Sequence, residues 1–72
     1  MGHFLQLSKG KLTDNKNIVI SKDVEGRISI AQQLEVDNEG QIQNIFLKNA
    51  IITDKQGLSV LLAVIQEAIE KI

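Results

Sequence analysis

The sequence predicts an α+β domain: a four-stranded antiparallel β-meander followed by one C-terminal α-helix, dimerising through that helix. Three observations carry this expectation. Isoleucine, leucine and valine supply a third of the 72 residues, while the aromatics are limited to Phe4 and Phe46, a β-branched aliphatic composition that suits strands. Successive segments of the first 52 residues alternate apolar and polar side chains, the period of a half-buried strand, and are separated by clusters of turn formers. From Thr53 onward the period becomes helical, with an apolar sector wider than one contact needs.

The first strand is expected over Phe4 to Leu12, with Leu5 and Leu7 on one face and a bulge or bend at Gly10 between Lys9 and Lys11. It reads as an edge strand. The polar cluster Thr13-Asp14-Asn15-Lys16-Asn17 turns the chain into a second strand, Ile18 to Val24, with Ile18, Ile20 and Val24 on one side and Lys22 sharing their parity. Glu25-Gly26 supplies a tight hairpin in which the glycine accepts positive φ. A third strand sets Ile28, Ile30, Leu34 and Val36 against Ser29, Ala31, Gln33 and Glu35, the clearest period-2 signal in the chain. Asp37-Asn38-Glu39-Gly40 forms the next turn. The fourth strand is expected from Gln41 to Ile52, with Phe46, Ala50 and Ile52 on one side and Ile45, Leu47 and Ile51 on the other, so both of its faces call for cover.

Thr53-Asp54-Lys55-Gln56 fits a capping box with Thr53 as N-cap and Gln56 reaching back, and Asp54 suits the positive helix end. Leu58, Leu61, Leu62, Ile65, Ile69 and Ile72 form one stripe expected to cover the sheet. Val60, Val64 and Ala68 widen the apolar sector to roughly 200°, at about 100° per residue. Neighbouring loops or a second copy of the helix across a two-fold axis would cover that flank. The second is the expectation here, with Val60, Val64 and Ala68 as the dimer interface.

A chain of this size buries only about 60% of the surface its unfolded form exposes. With no cysteine and no ligand cluster for a structural metal, idealised packing or oligomerisation is left as the staple, and the helix favours oligomerisation. The same inventory predicts no enzyme, no catalytic residue, no metal and no cofactor: His3 is the one histidine, and no nucleophile has a base beside it. Residues 1–3 are expected to be disordered or added, on a single domain spanning 1–72. The net charge of -1 gives no global attraction to nucleic acid or an anionic membrane. Its distribution is uneven, +2 over residues 1–33 and -3 over 34–72. No apolar run reaches the length of a membrane span, and the start lacks the features of a signal peptide, so no membrane association and a cytoplasmic location are expected.

Four meandering strands and a helix, with Val24-Glu25-Gly26-Arg27 at one hairpin and Asp37-Asn38-Glu39-Gly40 at the next, resemble the positive-cofactor-type transcriptional coactivator family over residues 17–72. The resemblance implies a curved sheet, related to the Pur-alpha and Whirly folds, that binds single-stranded DNA and dimerises through its helices. Carried over by position, it implies phosphate contacts at Lys22, Gly26, Arg27 and Lys48. Val24 and Val36 stand where the family has aromatics, and Glu25 and Gln33 where it has basic residues, so the stacking platform is missing.

Two functions follow as expectations. One is a homodimer binding single-stranded DNA or RNA weakly, with Lys9 and Lys11 extending an electrostatic track from Lys22, Arg27 and Lys48. The other is a protein-interaction or assembly module that keeps the dimer and engages an unknown protein partner through a sheet edge or apolar patch.

Overall fold

A computed structural model describes residues 4–48 and 50–72; the expectations on Met1, Gly2 and His3 lie outside the described residues. Five strands and a helix follow in chain order: β1 (Leu5–Thr13), β2 (Lys16–Lys22), β3 (Ile28–Asn38), β4 (Gln41–Phe46), β5 (Ile51–Thr53) and α1 (Lys55–Glu70). The strands form one antiparallel sheet in the order β1-β2-β3-β4, and β5 pairs with β3 beyond the end of β4.

The expected fourth strand is therefore two strands. β4 pairs Phe46 with Gln33, the Leu47 N–H still donates to the Gln32 carbonyl at 2.9 Å, and the chain rejoins β3 with Ile51 opposite Ile30. An unbroken ladder would have put residue 49 opposite Ile30, so the bend absorbs two extra residues. An even insertion preserves side-chain parity. Phe46 and Ile52 consequently stay on one face, and Ile45 and Ile51 on the other, as the alternation predicts.

In β1 the irregularities fall elsewhere than expected. Gly10 pairs regularly with Ile18, while the register shifts between Gln6 and Ser8 and again between Lys11 and Thr13, leaving Leu7 and Leu12 as the extra residues. A single inserted residue flips every side chain that follows. Leu5 thus lies opposite Lys22 on one face of the sheet, whereas Lys9 and Lys11 lie opposite Val19 and Asn17 on the other. Bulges and lysines on an edge strand also oppose sheet-to-sheet aggregation.

Val24, expected in β2, sits in the following turn and is 90% exposed. The strand ends at Lys22 because the Asp23 carboxylate takes over the next backbone donors, accepting from the N–H groups of Glu25 and Arg27 at 2.9 and 2.8 Å. Gly26 closes this turn at a φ of 85°. The β3–β4 connection is a two-residue loop with positive φ at Glu39 and Gly40 (54° and 85°), steadied by Asp37 Oδ1 accepting from the Gly40 N–H at 3.1 Å.

The helix cap is Asp54, one residue later than the capping-box reading: its Oδ1 accepts from the Gly57 N–H at 2.8 Å. Thr53 is unavailable because it remains in β5, paired with Ile28. The apolar stripe of α1 also departs from expectation. Leu58 and Leu61 are half-buried, but Leu62, Ile65, Ile69 and Ile72 are exposed, and the helix has no buried residue. Its main contact with the sheet is through the three residues of β5, so the stripe covers the sheet only at its N-terminal end.

Among the described residues, the buried apolar ones are Val19, Ile28, Ile30 and Ala31, on the central strands β2 and β3. The chain is a plate of 41 × 37 × 18 Å. Its radius of gyration, 14.0 Å, exceeds the about 11 Å of a compact domain of this length. Its accessible surface of 5993 Å² exceeds the about 4,450 Å² of a folded monomer of this mass by about 1,500 Å².

Candidate nucleic-acid interface

Cross-strand register assigns each side chain to a face. On the face carrying α1, Ile18, Ile20, Ile30 and Ile51 of the sheet and Leu58, Leu61, Leu62 and Ile65 of the helix line an open groove of about 470 Å³. Apolar branched residues dominate it, so this face offers contact area and almost no hydrogen-bonding chemistry.

The opposite face is built differently. Lys11, Asn17, Gln33 and Phe46 stand side by side across β1, β2, β3 and β4, and Lys9, Val19 and Ala31 form the neighbouring row. Asn17 and Gln33 are buried in the floor; Asn17 Nδ2 donates to Glu35 Oε1 at 3.0 Å, and Gln33 Oε1 has no hydrogen-bond partner among the described residues. A second groove, about 230 Å³, crosses this face between Phe4 and Phe46 over Ser21, Ser29 and Ala31, with Leu47 and Ala50 at its rim. The two phenylalanines, 49% and 55% exposed, are 42 positions apart in the chain. Their being the sole aromatics is the one sequence signal that could have paired them; their meeting depends on register.

The expected phosphate-binding residues divide into three groups. Lys9 and Lys11 share the face of Phe46, and neither is in an ion pair among the described residues. Lys48 is in the bend immediately after Leu47, which lines the groove. Lys22 is opposite Ile28 on the helix-bearing face. Gly26 and Arg27 belong to the β2–β3 turn, where the Arg27 guanidinium is already engaged: Nε lies 2.6 Å from Asp23 Oδ2 and Nη2 lies 3.4 Å from Glu25 Oε2. The guanidinium therefore sits beside two carboxylates, a poor setting for a phosphate.

The residues expected at the dimer interface, Val60, Val64 and Ala68, are exposed on α1, with Val60 at 58% and Val64 at 55%. Among the described residues, no helix is long and apolar enough to cross a membrane and no cluster of metal-ligating side chains occurs. Comparison of the chain with protein-family models, curated proteins and solved structures gives no match.

Proposed function

We propose that the chain is a homodimer that closes its helix-bearing face against a second copy and binds single-stranded nucleic acid on the opposite face of the sheet. The observation that carries this reading is the difference between the two faces. One is an apolar groove under a helix with no buried residue. The other carries Lys9 and Lys11 on the edge strand β1 and Phe46 across the same face on β4, over a floor of small and polar side chains, the combination of basic track and aromatic surface that suits unpaired strands.

The excess surface supports the dimer. About 1,500 Å² from each of two chains makes an interface of about 3,000 Å², within the 2,000–5,000 Å² range of obligate homodimers. Burying the flank Val60, Val64 and Ala68 together with the open groove supplies that area from apolar side chains. The family resemblance of the hairpins and helix points the same way.

Fluorescence anisotropy with a labelled oligothymidylate across a salt series tests the binding. Contacts from Lys9, Lys11 and Lys48 give a slope of log K against log salt of about -2, at about -0.7 per phosphate contact on a single strand. Lys9→Gln with Lys11→Gln flattens it by about 1.4. Absence of binding by the wild type at low salt overturns this reading and leaves the assembly module in its place.

A further inference from the structure

Resting on that reading, we propose that the groove between Phe4 and Phe46 is a stacking site for one unpaired base, replacing the aromatic platform absent at Val24 and Val36. The groove volume of about 230 Å³ falls below the 300–1,000 Å³ of sites for drug-sized ligands and matches a single planar ring system. Its walls are the two phenylalanine side chains, half exposed where a folded chain ordinarily buries them. Its floor, Ser21, Ser29 and Ala31, is made of small side chains that leave room between the two phenylalanines.

Charge selects the occupant. Lys9 and Lys11 lie on this face, and Lys48 follows the groove residue Leu47, so phosphates on either side of a seated base meet cations. Glu35, on the same face beside Asn17, disfavours a path toward the Asn44 end of β4, leaving the route that passes Lys9 and the groove. Ser21 and Ser29 are cross-strand neighbours, and hydroxyls donate and accept alike, so the site takes any base. Binding that depends on the presence of a base and not on its identity is the consequence.

The discriminating experiment compares a thymidylate oligomer with an abasic oligomer of equal length and charge, against the wild type and against Phe46→Leu and Phe4→Leu. Leucine keeps the apolar bulk and removes the π-face. The wild type is expected to bind the abasic strand at least about fivefold more weakly, and each variant to lose most of that difference while keeping the wild-type salt slope. Circular dichroism and molar mass check that the variants fold; should a variant fail to fold, the comparison of the two oligomers on the wild type decides alone. Equal affinity for both strands overturns the stacking site and leaves electrostatic binding intact. Absence of all binding overturns both.

Discussion

Arg27 closes the β2–β3 turn on Asp23: its Nε lies 2.6 Å from Asp23 Oδ2, while Asp23 Oδ1 accepts the backbone N–H groups of Arg27 and Glu25. Burial pushes the Asp23 carboxyl pKa up, but the Arg27 N–H and guanidinium and the Glu25 N–H outweigh it and hold the group below its ordinary value of 3.8. A carboxyl whose pKa is lower in the folded state stabilises the fold above its unfolded pKa, and that contribution is lost as the pH falls through the folded value.

Acidification below about pH 4 should therefore remove stability that Asp23→Asn lacks already. Thermal denaturation followed by circular dichroism is expected to give the variant a lower Tm at pH 7 and a shallower fall in Tm between about pH 4 and pH 2. An unchanged Tm at pH 7 would show that the turn does not depend on this carboxylate.

Glu35→Gln should strengthen nucleic-acid binding. Glutamine keeps an oxygen to accept the Asn17 amide, now bonded at 3.0 Å, and removes the negative charge from the face bearing Lys9 and Lys11. At low salt the gain is expected to be up to about 1 kcal/mol, or about fivefold in affinity, and to fade as salt screens it. Anisotropy titrations at two ionic strengths measure it; weaker binding by the variant contradicts the assigned face.

Gly57→Ala should destabilise the protein, although alanine is the better helix former by about 1 kcal/mol. A Cβ on Gly57 would collide with Thr53 Oγ1 and crowd Thr53 Cβ at 3.1 Å, and Thr53 is held in β5 opposite Ile28 with a stiff side chain. Thr53→Ala in the same chain removes the hydroxyl and should restore part of the loss. Chemical denaturation of the two single variants and the double variant reads this coupling directly. Strictly additive effects would contradict it.

Much of the meander was legible because local chemistry specifies it. Gly26 and the Asp37–Gly40 segment name their own turns, and the alternation through Ile28 and Ile30 names a buried face. The departures share one cause, competition settled by pairing partners that no local window contains. Leu7 and Leu12 read as ordinary strand residues until β2 sets the register. Thr53 and Asp54 are equally good caps until Ile28 claims Thr53 for the sheet. The run from Ile45 to Ile52 carries no breaker strong enough to announce the bend that lets β5 rejoin β3. The candidate site was less legible for the same reason: the flip at Leu7 carries Lys9 and Lys11 to the face of Phe46, and Lys22, equally basic, ends on the other side.

Val64→Glu tests the helix interface. Val64 is 55% exposed in the single chain, so a carboxylate there meets water in a monomer and meets apolar side chains in a dimer. The variant should be monomeric and melt at a lower temperature. The wild-type Tm, unlike that of the variant, should rise with protein concentration, because association stabilises only the folded chain.

The molar mass of the wild type, measured by light scattering at tens of micromolar, decides whether the helix-bearing face is an interface. A second copy on the helix-bearing face predicts about 16 kDa, twice the 8.0 kDa of the chain. A mass of 8.0 kDa for a stably folded chain would contradict it, because the open apolar groove and the exposed flank of α1 would then be the native surface of a monomer.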